Sequence, residues 1–307
     1  MWFKNLRIYR FTQAFELSPE ELQPLLQEKA FHPCGRQDLT KYGWVAPIAS
    51  NDADAPLVHS CNGNFMLCAQ RQDKVVPASV IKEAVLEKTA FIEQKEARKV
   101  FSKERAQIKD EVLLDLLPRA FTKNQTIYGY IAPKQKLLLL DASSPSKAEQ
   151  FLSHLRDSLG SLPVIPPACK NLPGDVMTNW LSQQSAEPPF VLEKECELNN
   201  PADSANVIRC KAQDLDADEV QTMLESGKRC SKLAVNWNDS VEAIICDDLS
   251  LKRLRFDDKL IEEANEAEAE DKAQQFDQDF AVMALQLNQL CKDLFKAFGG
   301  LERTRVV

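Results

Sequence analysis

Histidines, thiols and paired carboxylates are the side chains from which hydrolytic, redox and metal sites are built, and in this chain they are scattered. The 307 residues hold three histidines, His32, His59 and His154, and no H-x-x-x-H spacing to place two imidazoles on one helical face around a metal. Nine cysteines stand at positions 34, 61, 68, 169, 196, 210, 230, 246 and 291. None forms a C-x-x-C pair, the number is odd, and most have apolar neighbours, so they read as buried free thiols of a reducing compartment. His59 and Cys61 lie close in sequence, but one thiol and one imidazole in a loop is weak support for a nucleophile or a ligand. Asp247-Asp248 offers two carboxylates to a divalent cation; a solvated hairpin turn is the simpler account. There is no G-x-x-x-x-G-K-[ST] loop and no G-x-G-x-x-G turn, and the nine glycines leave little material for a phosphate cradle. On these grounds neither an enzyme nor a cofactor is expected, and no metal site.

Charge is more informative than chemistry. The formal net charge is −8, which argues against a globally cationic coat on nucleic acid. It is a local property, however. Residues 257–280 hold ten acids against Lys259 and Lys272 and so carry the whole −8, leaving the rest of the chain neutral. Within that remainder residues 95–136 hold ten bases, Arg98, Lys99, Arg119 and Lys123 among them, against five acids. The amino-terminal strand adds Lys4, Arg7 and Arg10. Strand alternation places Arg209 with Lys211 on one face, and Arg253 with Arg255 on another. Taken singly each cluster is a solvated surface; together they permit a segregated basic face that attracts a phosphate backbone without sequence preference. The acidic run is expected to face outward, away from that surface.

The elements that must position these residues make an α+β protein. The first block reads β-α-β-β: a strand at Leu6–Phe11, a helix opened by the capping signal Ser18-Pro19-Glu20-Glu21, a strand at Lys41–Ala46 and a strand at Asn64–Gln70. A turn at Arg71-Gln72-Asp73 and a short strand to Val76 follow. Residues 206–256 repeat the order, with a strand at Asn206–Lys211, a helix from Asp216, strands at Lys232–Trp237 and Val241–Cys246, a turn at Asp247–Ser250 and a returning strand at Leu251–Phe256. Two related units are therefore expected. Residues 80–117 read as helix, with a break at Ser102, and have little core of their own, so they suit a projecting arm. A β-α-β run follows over residues 137–165. The Pro-, Asn-, Ser- and Glu-rich stretch from Pro163 to Pro201 reads as linker, and Lys259–Phe298 as helix stopped by Gly299-Gly300. The expected division is a central region of residues 1–76 and 119–170, an arm of residues 77–118, and a second unit with carboxy-terminal helices, residues 171–307. The longest apolar stretch, Leu137–Leu140, is far too short for a membrane helix, and no signal peptide is visible at the amino terminus.

Several strings carry a resemblance: Trp2-Phe3-Lys4-Asn5-Leu6, Ala30-Phe31-His32-Pro33-Cys34-Gly35, Leu116-Leu117-Pro118-Arg119-Ala120-Phe121, Ser158-Leu159-Gly160-Ser161-Leu162-Pro163-Val164, and Cys246-Asp247-Asp248 with Ser250-Leu251-Lys252-Arg253-Leu254. They recur in order over essentially the full length, and in them the chain resembles the RdgC family of bacterial recombination-associated proteins. The resemblance implies a curved, multi-lobed monomer that closes into a ring-shaped homodimer around a basic hole. It implies binding of double- and single-stranded DNA without sequence specificity, antagonism of RecA by competition for DNA, and a role in recombination and fork repair in the cytoplasm, at the nucleoid. It implies no catalysis. By matching motif, Arg98 and Phe121 belong to the arm and its ring-closing contact, and Lys211 with Gln213 to a basic strand end near the other contact; Arg119 and Phe121 are equally explained as structural residues. Ala212 stands where the resemblance leads one to expect a second lysine. The alternative function is a regulator that docks on RecA or another repair factor through the acidic carboxy-terminal segment.

Overall fold

The computed structural model describes residues 1–48, 55–265 and 271–302. Strand β1 (Asn5–Phe11) buries Leu6, Ile8 and Phe11. Helix α1 (Pro19–Gln27) begins with the reciprocal cap the sequence called for: Glu21 N donates to Ser18 Oγ at 3.3 Å, and Ser18 N to the Glu21 carboxylate at 2.9 Å. Strands β2 (Thr40–Val45), β3 (Val58–Cys61) and β4 (Asn64–Val75) follow. The expected turn at Arg71-Gln72-Asp73 is absent. β4 runs straight through it because β2 pairs with it from Val45↔Cys68 to Thr40↔Asp73, and these main-chain bonds outweigh the local turn preference of polar residues.

The helical run divides as anticipated into α2 (Ala78–Glu96) and α3 (Ser102–Leu116), with Ala97 in the left-handed region (φ 49°) ending the first. The two pack through a small core of Val85, Val100, Ile108 and Val112. Next come β5 (Phe121–Ala132), β6 (Leu137–Leu140), α4 (Pro145–Leu159), capped by Ser144, and β7 (Val164–Ile165). The stretch read as linker is largely structured: after β7 it forms α5 (Pro173–Ser182) and β8 (Phe190–Asn200). Glutamates hid β8. They occupy its outward positions, whereas Phe190, Cys196 and Leu198 are buried. The remaining elements are β9 (Asp203–Lys211), α6 (Asp218–Glu225), β10 (Arg229–Trp237), β11 (Val241–Cys246), β12 (Leu251–Phe256), α7 (Asp258–Asn265) and α8 (Lys272–Ala297). Glu266, Glu268 and Glu270 of the acidic run lie outside the described residues.

The chain forms two compact units, the first made of Met1–Leu26, Ala46–Leu67 and Ile127–Val307, the second of Gln27–Val45 and Cys68–Thr126. In the first, antiparallel strands lie in the order β5-β6-β1-β12-β11-β10-β8-β9. Its core gathers Trp180, Phe190, Trp237 and the apolar stripe of α8, in which Phe280, Met283, Leu287, Leu290 and Leu294 are buried. The second unit holds β2 with most of β4, the α2–α3 pair and the start of β5. The order β1-α1-β2-β3-β4 recurs as β9-α6-β10-β11-β12. The pairing does not recur: β10, β11 and β12 form a meander, whereas β4 pairs with both β2 and β3.

Candidate functional site

In the first unit the cations collect on one face of the β9-β8-β10-β11-β12 sheet. A concavity of about 270 Å³ there is lined by Arg209 and Lys211 of β9, Glu195 and Glu197 of β8, Lys232 of β10, and Lys252 and Arg253 of β12. Two irregularities build it. Between Glu242↔Arg255 and Ile244↔Lys252 the ladder holds one extra residue on β12, and Arg253 takes φ 51° there. Strict alternation would send Lys252 and Arg253 to opposite faces; the bulge brings both to the same concavity. A second slip, between Cys230↔Leu198 and Lys232↔Glu197, sets Lys232 directly opposite Glu197.

Glu197 is the hub of this face. Arg209 Nε lies 2.7 Å and Lys232 Nζ 2.6 Å from its two oxygens. Burial acts to raise the Glu197 pKa, but the hydrogen bonds from Arg209 and Lys232 outweigh it and hold the carboxyl below its usual range. Arg253 pairs with Glu195, and Arg255 approaches Glu242 at 3.9 Å. Lys211 and Lys252 have no ion pair among the described residues, and Lys211 is exposed. Gln213 is half-buried just beyond Ala212, whose φ of 50° ends β9, and its N–H donates to Lys194 O. The face is thus an interleaved lattice of cations and glutamates. The sequence pointed to Arg209, Lys211, Arg253 and Arg255 and missed Lys232, Lys252 and the glutamates, because the two slips in register leave no mark on the pattern of residue types.

Elsewhere in the first unit Lys4 is exposed, whereas Arg7 is half-buried and faces Asp248 at 3.3 Å. Burial works to raise the Asp248 pKa, yet hydrogen bonds from Ser250 and the charges of Arg7 and Lys252 leave it lowered. Asp247 moves the other way, raised by burial and by Asp248. The pair is therefore a hairpin turn knitted to β1, and among the described residues no group of three or more His, Cys, Asp or Glu is arranged to hold a metal ion. His59 Nε2 lies 3.1 Å from Asp277, and burial, with a hydrogen bond to Asp277, pushes the Cys61 thiol up to about 11, so it is protonated at neutral pH. All nine cysteines are free.

The second unit carries the other predicted residues. Arg98 is held by Glu104 and Glu96 at 2.6 and 2.7 Å, which raise its pKa further. It closes the turn between α2 and α3 with its charge largely answered. Lys99 beside it is exposed, without an ion pair among the described residues. Arg119 and Lys123 are exposed, and Phe121 is 86% exposed, with Phe101 at 74% and Phe91 at 63% in the same unit. The acidic run faces solvent at Asp257, Asp258, Glu262, Glu263 and Asp271. Its end differs: Asp279 is buried and takes the Met1 amino group, whereas Asp277 is half-exposed and meets His59. Asp279 follows the apolar stripe of α8 inward, where it finds a cationic partner.

Fold and face together define an α+β protein with a cation-rich sheet surface. The chain belongs to the RdgC family: residues 1–301 match the family model described as "Putative exonuclease, RdgC". It is 42% identical over 304 residues to the recombination-associated protein RdgC of Aeromonas hydrophila, covering 99% of this chain and all of that one. It is 42% identical over 302 residues to that of Pseudomonas aeruginosa, and 43% over 303 residues to that of Pseudomonas putida, with 98% of both chains covered in each case. Among the described residues no helix is long and apolar enough to cross a membrane.

Proposed function

We propose that this protein binds DNA without sequence preference, as a ring-shaped homodimer that encircles duplex and opposes RecA in recombination and fork repair at the nucleoid. One observation supports the reading above the rest: five cations, Arg209, Lys211, Lys232, Lys252 and Arg253, converge on one concavity of a sheet face. Such a surface offers charge to phosphates but no helix or loop to read base edges. The relatives' printed name, recombination-associated, agrees with it. Phe121 is the ring-closing contact, since an aromatic side chain so exposed in one chain gains most by burial against a second. The protein acts without nuclease chemistry, although the family description names an exonuclease. Asp248, one half of the only carboxylate pair singled out by sequence, is already committed to Arg7 and Ser250.

The alternative, docking on RecA through the acidic segment, loses two of its carboxylates, Asp277 and Asp279, to internal partners. One titration separates the two. RecA filament assembly is followed at fixed protein while DNA is raised to excess. Relief of inhibition is the expected outcome, and persistent inhibition would show direct contact. End-labelled duplex incubated with magnesium or manganese is expected to stay intact. Phe121→Asp is expected to yield a folded monomer in sedimentation with weaker duplex binding; an unchanged dimer removes Phe121 from the contact.

A further inference from the structure

The first unit has a second concavity, of about 1200 Å³, away from the cationic sheet face. It lies between the carboxy-terminal half of α8 and the turn joining β5 to β6. That exceeds the roughly 300–1,000 Å³ of an ordinary small-molecule site and suits a stretch of chain. Lys292 and Lys296, one helical turn apart on α8, stand on one side, and Lys134 on the turn stands on the other. All three are exposed and have no ion pair among the described residues. The lining holds one acid, Glu187. The floor is aliphatic, formed around Val282 and Leu285, and Leu285 is 68% exposed on a helix whose other large apolar side chains are mostly buried. The one aromatic in the lining, Phe295, is only 7% exposed and offers no ring face for a base to stack on. The lack of an exposed ring leaves single-stranded nucleic acid nothing to stack on, and the net positive charge selects against basic peptides. It matches an acidic segment that carries aliphatic side chains.

We propose that this groove binds an acidic peptide segment of a partner protein. Aspartates or glutamates reach Lys134 on one side and Lys292 and Lys296 on the other. A leucine-sized side chain covers Leu285, and the amides of Asn62 and Gln135, also in the lining, meet the peptide main chain. The site shares no residue with the sheet-face concavity, so peptide and DNA bind independently.

The test uses the full chain and a fluorescein-labelled peptide that alternates aspartate with leucine, read by anisotropy at low salt. Binding is expected, with a loss of about tenfold or more in Lys292→Glu/Lys296→Glu, because two attractions become repulsions. A smaller loss is expected in Leu285→Ser. The same peptide with lysine in place of aspartate is expected not to bind, and duplex DNA affinity to be unchanged in both variants. Circular dichroism checks that the variants fold; all three positions are exposed. Absence of peptide binding, or equal binding by the variants, overturns the proposal. A fall in sedimentation mass in the lysine variant assigns the groove to a second copy of the chain instead. A fall in duplex affinity assigns it to nucleic acid.

Discussion

Replacing Glu197 by glutamine is expected to strengthen DNA binding at low salt, the opposite of what most changes at a binding face do. In the wild type this one carboxylate answers two cations, Arg209 at 2.7 Å and Lys232 at 2.6 Å. Its side chain is only 14% exposed, against 33% for Lys232 and 68% for Arg209, so the cations already reach solvent from a sheltered carboxylate. Glutamine keeps the shape and still accepts from Lys232 and Ser231, so the fold is retained, but both positive charges become available to phosphates. Each cation newly engaged adds about 0.9 to the slope of log K against log salt, so two add about 1.8. Between 50 and 200 mM salt that steepens the loss of affinity by about a further tenfold. The assay is anisotropy of a labelled duplex over a salt series, with thermal unfolding as a control. Lys211→Gln is the matched opposite: it is exposed, has no ion pair among the described residues, and should make the slope shallower by about 0.9. If Glu197→Gln leaves the slope unchanged while Lys211→Gln flattens it, Arg209 and Lys232 are structural and the sheet face is not a shared phosphate track. If neither moves it, the DNA lies elsewhere.

Other expectations follow from the same geometry. Lys99→Gln should weaken duplex binding more than Arg98→Gln, because Arg98 already spends its charge on Glu96 and Glu104; equal losses would show that Arg98 leaves its partners for DNA. Asp248 has a folded-state pKa below the unfolded value of about 3.9. The unfolded chain therefore takes up the proton first, and the contribution to stability is full above about pH 4 and lost as the pH falls through the folded value. Asp248→Asn should lower Tm at neutral pH and flatten its decline in acid; a parallel decline in both proteins would locate the acid sensitivity elsewhere. Gly43→Ala should destabilise the second unit by about 1–3 kcal/mol in urea unfolding, since a Cβ there meets the Phe31 Cα at 2.4 Å. A wild-type midpoint would mean that this bridge between chain segments yields without cost.

Much of the fold was legible because it is locally encoded. The Ser18–Glu21 cap, the break before Ser102, the Gly160 stop and the apolar stripe of α8 are each written in residues a few positions apart, and each forms as read. Among the misread stretches, which include the unforeseen strands β3 and β5, two show most clearly the reach of distant partners. Arg71-Gln72-Asp73 has turn composition but is held extended by β2, and β8 carries Glu195 and Glu197 outward, where β9, β10 and β12 bring them cations.

The same division governs the site. Residue types alone revealed that the net charge belongs to one segment, that the bases are free to gather, and that no nucleotide loop or histidine pair is present, since charge and spacing are properties of the chain itself. Which bases meet was decided only in three dimensions. The bulge at Arg253 turns Lys252 onto the same concavity, and the slip at Ser231 sets Lys232 against Glu197. The partners of Arg98 and Arg7 answer charges that in the sequence look available. A cation's reach toward a ligand depends on which carboxylate lies within a few ångströms of it, and strand register, set by the whole sheet, fixes that distance.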